Sequence, residues 1–118
     1  MSFWREVIEL ALDQETRRQV QEHVEWIERE PGNARPYYHL AQFCRSLSQA
    51  ERGLALLLEA VRLDPEMHEA HAALAEIHAV TGDYQAAWRH AREAERGGVH
   101  RSVELLRRHR IPEPAGEP

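Results

Sequence analysis

Eight histidines and a single cysteine are the residues of this 118-residue chain with the most latent chemistry. His68, His71 and His78 lie on one stretch and His90 on the next. On a helix, His68 and His71 stand one turn apart, a spacing that a metal ion can bridge. His71 and His78 stand about 10.5 Å apart along the axis and cannot both reach one ion. Packed or half-exposed imidazoles are therefore expected, and a His-rich ligand- or metal-sensing module is the alternative reading. Charging several of them near pH 6 would carry the formal charge of −5 toward zero and alter association. Cys44 and His39 suggest a nucleophile and base, but five residues apart on a helix they point about 140° away from each other. An inert core thiol is expected instead. The sequence contains no Gly-rich phosphate loop, Ser-His-Asp pattern or metalloprotease motif. No catalytic residue, cofactor site or metal site is predicted, and enzyme activity is not expected.

The elements that must position these residues are helices. Sixteen Ala, twelve Leu, seventeen Glu and fifteen Arg make up about half of the chain, whereas Val, Ile and Thr together number 13. Every basic residue is arginine, which removes amine nucleophiles and Schiff-base chemistry. The acidic balance argues against a nucleic-acid or anionic-membrane surface. The cluster of Arg107, Arg108 and Arg110 is the one feature pointing toward RNA. The longest apolar run, Leu54 to Leu58, is too short to cross a bilayer. No basic flank followed by an apolar stretch opens the chain, so a cytoplasmic location is expected.

The punctuation is periodic. Pro31 and Pro65 are 34 residues apart, and Gly97-Gly98 closes the next interval. Within 34–67, Tyr37, Leu40, Ala41, Cys44 and Leu47 mark one helix face. Ser48, three residues before Glu51, predicts a capping box that opens a second helix whose apolar residues are Leu54, Leu57, Leu58 and Val61. Within 68–99, His71, Leu74, Ala75 and His78 form the matching face. Gly82 and Asp83 then introduce a helix lined by Tyr84, Ala87, Trp88, Ala91 and Ala94. Residues 1–33 predict a degenerate hairpin, with Phe3, Val7 and Leu10 on its first helix. Asp13 caps its second, which carries Val20, Val24 and Ile27. A capping helix over 100–110 and a flexible tail over 111–118 complete the reading.

This pattern resembles the tetratricopeptide repeat (TPR) family, whose unit is a 34-residue antiparallel helix pair. Tyr37, Leu40, Ala41, Gly53, Ala60 and Pro65 match the family's residues in one block. Leu74, Ala75, Gly82, Tyr84, Ala87 and Ala94 match in the next. Cys44 and His78 depart where an aromatic is usual, Ser48 where Gly is usual, and Val99 where Pro is usual. The resemblance implies an all-α, right-handed superhelix of three hairpins with a capping helix, and His71 and His78 as packing residues. It further implies a concave groove that binds a peptide or partner helix. Carried over, that groove is lined by Trp4, Ile8, Arg35, Tyr38, Gln42, Arg45, Glu69, Ala72, Glu76 and Ala79. Tyr38 and Trp4 would anchor the ligand, and Arg35 and Arg45 would hold a carboxylate. Tyr38, Gln42 and Ala73 do not match the subfamily that clamps chaperone C-termini. Leu56 and Leu58 fall on the convex side of the resemblance, where an apolar surplus predicts self-association as a homo-oligomer. A protein or peptide partner is expected, and neither nucleic acid nor membrane.

Overall fold

The computed structural model describes residues 13–115, and every regular element among them is helical. The helices are α1 (Gln14–Arg29), α2 (Ala34–Ser46), α3 (Ala50–Leu63), α4 (His68–Thr81), α5 (Tyr84–Arg96) and α6 (Arg101–Arg108). The chain divides between Asp64 and Pro65 into two compact units, with α1 to α3 in the first and α4 to α6 in the second. α2 packs on α3 and α1 in the first unit; α4 packs on α5, and α6 touches both, in the second. The starts of α2 and α4 are 34 residues apart, and so are the starts of α3 and α5.

Local chemistry sets most of these boundaries. Asp13 opens α1: its carboxylate accepts the Thr16 backbone N–H at 2.8 Å and the Thr16 hydroxyl at 2.7 Å. Asn33 accepts the Arg35 N–H at 3.0 Å to open α2, and Asp83 accepts the Ala86 N–H at 3.2 Å to open α5. The closures of α2 and α4 share one geometry. Ser48 and Gly82 both adopt the left-handed conformation, with φ of 60° and 88°. The residue after each donates its N–H back to the helix, Gln49 to the Cys44 carbonyl at 2.8 Å and Asp83 to the His78 carbonyl at 2.9 Å. Ser48 is therefore not the head of a capping box. Its backbone is spent on ending α2, and α3 begins at Ala50 behind Gln49 with no side-chain cap.

The core depends on small residues at close helix contacts. A Cβ added to Gly53 of α3 would lie 3.3 Å from the Ala41 carbonyl oxygen and 3.1 Å from Cγ of Arg45, so α2 and α3 approach through a site with almost no room. That contact turns α3 by one residue from the expected phase. Gly53, Leu56, Leu57 and Ala60 face inward; of the expected apolar stripe Leu57 is buried, Leu54 and Val61 are half-buried and Leu58 is exposed. In the second unit Ala75, Ala87 and Ala91 pack with Trp88, Val103 and Leu106, and Ile111 joins the same cluster. Ile111 and Glu113 thus belong to the packed structure rather than to a loose tail. The prolines nevertheless keep residues 111–115 out of any helix.

Candidate functional site

A candidate surface is the outward side of α2. Arg35, Tyr38, Gln42 and Arg45 follow one another at three- and four-residue steps, so a single helix brings them to one face. Arg35 is exposed, and the other three are half-buried. Arg45 donates from Nη1 to Oε1 of Gln42 at 3.1 Å, which orients the amide and the guanidinium together. Beside this face lies a shallow depression of about 390 Å³ lined by His23, His39, Gln42, Phe43 and Ser46. Its walls are a lattice of rings. His23 meets Phe43 edge-on at 5.3 Å, His39 stacks on Trp26 at 6.3 Å, and Tyr38 meets His39 edge-on at 5.4 Å. His23 Nδ1 donates to the Gln19 carbonyl at 2.7 Å, which leaves its Nε2 as the acceptor in the neutral ring. Burial, together with the nearby His23 and Arg35, lowers the pKa of His39 below the ordinary histidine range and favours its neutral form. The surface thus combines guanidinium donors with apolar ring faces.

The acidic residues assigned to the groove behave differently. Glu69 and Glu76 sit on one face of α4, and Arg101 at the start of α6 bridges them. Its Nη1 lies 2.6 Å from a Glu69 oxygen and its Nε 3.0 Å from a Glu76 oxygen. These carboxylates hold α6 against α4. Ala72, between them in sequence, is fully buried and presents nothing to a ligand. Its assignment to a binding wall is therefore corrected: one turn of α4 at this point carries core, not surface. Ala79 is partly buried against the Trp88 cluster. Leu56 is likewise corrected. It is 2% exposed because the Gly53 contact turns it inward, whereas Leu58 is 46% exposed. Trp4 and Ile8 lie outside the described residues.

The histidines of the second unit form a directional hydrogen-bond chain. His71, 8% exposed, places Nε2 2.9 Å from the Pro65 carbonyl and Nδ1 3.0 Å from Nδ1 of His90. A carbonyl only accepts, so His71 carries its proton on Nε2. Its Nδ1 must then accept the proton that His90 carries on Nδ1. His78 stacks parallel to His90 with ring centres 5.6 Å apart. Burial first, then the adjacent His71, His78 and Arg89, pushes the pKa of His90 down to about 4. His90 therefore stays neutral at pH 6 and takes no part in any charging of the histidines there. His68 stands apart, its ring over Gly97 and its Nδ1 3.2 Å from the Glu93 carbonyl. Among the described residues, no three His, Cys, Asp or Glu side chains converge on a point where a metal ion could sit. Cys44 is fully buried, and burial pushes its thiol up to about 11, so the thiolate needed for nucleophilic attack does not form near neutrality.

Sequence reasoning passed over the ring-lined depression. Its signal was present in the pairs His23/Trp26 on α1 and His39/Phe43 on α2, each separated by about one turn. What could not be seen was that α1 and α2 lie side by side and merge the two pairs. Among the described residues, no helix is long and apolar enough to cross a membrane. No family model, curated protein or solved structure matches this chain.

Proposed function

We propose that this chain is a non-catalytic interaction module of TPR type that holds an extended peptide or a partner helix on the outward face of α2. The observation that carries the reading is the continuity between that face and the ring-lined depression, through the shared Gln42. A ligand side chain with an apolar or aromatic tip fits against His23, His39 and Phe43. A ligand carboxylate fits Arg35 and Arg45, with Tyr38 as the aromatic anchor. In a TPR module the first helix of each hairpin lines a concave groove, and α2 occupies that place in the 34-residue register. The same register accounts for the left-handed residues at Ser48 and Gly82 and for the small residues Gly53, Ala60, Ala87 and Ala94 at helix contacts.

Affinity capture with the full chain, beside a Tyr38→Ala/Arg45→Glu variant, tests this reading. The partner should be retained by the parent and lost by the variant, whose circular dichroism should be unchanged. Retention of the same partner by both would move the site away from α2. A second reading, self-association, is favoured by the exposure of Leu58, with Val80 and Tyr84 as further exposed apolar side chains. A dimeric mass in light scattering that Leu58→Lys converts to a monomer would support it; a monomer at high micromolar concentration would end it.

A further inference from the structure

The segment after α6 lies on α5, and the contacts it makes there are those of a bound peptide. Trp88 is nearly buried, and its indole N–H donates to the Ile111 carbonyl at 3.1 Å. The Ile111 side chain packs into the apolar cluster that contains Val103 and Leu106. Two residues on, the Glu113 carboxylate meets the Arg92 guanidinium as a two-point fork, with Nε at 2.8 Å and Nη2 on the other oxygen. The receiving half of this arrangement also has contacts of its own within α5. Arg92 lies over the Trp88 ring at 5.2 Å and is braced by Glu95 through Nη1 at 2.8 Å. Those two contacts leave Nε and Nη2 for the Glu113 carboxylate. The donated half has no secondary structure, and Pro112 to Ala115 are exposed.

We propose that the Trp88–Arg92 face of α5 is a recognition site for an aliphatic–Pro–Glu peptide. Residues 111–113 fill it in cis, and the same sequence presented by another chain occupies it when they are displaced. The proposal goes beyond the α2 surface and does not depend on it. Each contact reads a separate feature of the ligand: a backbone carbonyl, an aliphatic side chain and a carboxylate at fixed spacing. The proline between them sets that spacing. It locks φ, removes a donor the site could not satisfy, and keeps the segment extended with little conformational freedom to lose. The hydrogen bond from Arg92 also holds the Glu113 carboxyl below the usual carboxylate range, so the fork is charged on both sides at neutral pH. Because the cis segment is tethered, it acts at an effective concentration on the order of millimolar, and an intact chain shields the site from dilute competitors.

The test uses the full chain carrying Ile111→Gly and Glu113→Gln, which removes both cis anchors, and a synthetic peptide of residues 110–115 as probe. Side-chain N–H resonances of Trp88 and Arg92 are followed by NMR. Saturable shifts at both groups are expected. A peptide with Gln in place of the Glu should bind roughly tenfold more weakly or worse, and adding Arg92→Gln to the chain should abolish the shifts. Absence of shifts at millimolar peptide, or equal binding of the Glu and Gln peptides, overturns the proposal. The single Glu113→Gln chain, in which Ile111 keeps its packing, guards against a folding failure of the double variant. There, without peptide, the Arg92 Nε–H resonance must move from its place in the parent chain while that of the Trp88 indole N–H stays, and an unmoved Arg92 resonance overturns the proposal as well.

Discussion

Lowering the pH from 7.5 to 5.0 perturbs the His71–His90 pair more directly than any substitution does, and the effect can be worked out from its geometry. In the folded chain His90 carries one proton on Nδ1 and passes it toward His71, whose other nitrogen is already committed to the Pro65 carbonyl. A second proton on His90 must go to Nε2, on a largely buried ring that stacks against both His71 and His78. Burial and the flanking His71, His78 and Arg89 accordingly hold the pKa of His90 near 4, with Asp83 opposing them weakly. Unfolded, the same imidazole titrates near 6.5. Above that value it is neutral in both states and costs nothing. As the pH falls below it the unfolded chain takes up the proton and the folded chain does not, so stability is lost progressively down to about pH 4. At pH 5.0 the loss comes to about 2 kcal/mol, against almost none at pH 7.5. Asp13, Glu15, Glu59, Glu95 and Glu113 also have lowered pKa values, but their contribution disappears only at more acidic pH. His39 shifts in the same direction as His90, so the comparison needs a control that removes His90 alone.

His90→Gln supplies that control: it retains an N–H for the His71 acceptor and cannot titrate. Urea unfolding of both chains, followed by circular dichroism at the two pH values, should show the parent losing about 2 kcal/mol more than the variant. An NMR titration of the imidazole should place the His90 transition near 4. Equal pH slopes in the two chains, or a His90 transition at 6.5 or above, would refute the tautomer assignment and the burial argument together.

Other substitutions probe the frame. Ser48→Gly relieves a left-handed serine and should raise stability by about 0.5–1 kcal/mol, the strain removed being partly offset by the greater freedom of glycine in the unfolded chain. A lower melting temperature would contradict it. The mirror change, Gly82→Ala, should lower stability by about 1 kcal/mol by forcing a Cβ into the same conformation. Ser102→Ala deletes a buried hydroxyl that has no hydrogen-bond partner among the described residues and should stabilise the second unit by up to about 1 kcal/mol in thermal melts. Arg101→Gln leaves Glu69 and Glu76 without their bridge. It should cost about 1 kcal/mol and make unfolding less sensitive to salt than in the parent chain.

Helix boundaries were legible wherever a short-range contact decides them. The caps at Asp13 and Asp83 and the turn at Gly82 are decided by residues close in sequence, and α1 and α5 begin where the sequence places them. The phase of α3 was not legible, because five apolar residues in a row from Leu54 to Leu58 satisfy two neighbouring faces equally well. The choice between them is made by Gly53 against Ala41 and Arg45, across the α2–α3 turn. Ser48 misled for a related reason. Its side chain suits a helix start, but its backbone is needed one step earlier, to close α2.

Partner choice over longer distances explains what the candidate surface gained and lost. Glu69 and Glu76 are acids on a helix face, and nothing within ten residues of either shows that Arg101 takes both. Arg92 and Glu113, 21 residues apart, are hidden from local reading in the same way. In both places a charged group that looks available in sequence is neutralised by the segment that closes the second unit. The first unit's α2 presents another arrangement: Arg35 stands exposed, and the rings of His23, His39 and Phe43 line the adjacent depression. The binding reading therefore rests on the exposed Arg35 and the ring-lined depression beside α2, and the acidic pair on α4 is better understood as what fastens α6.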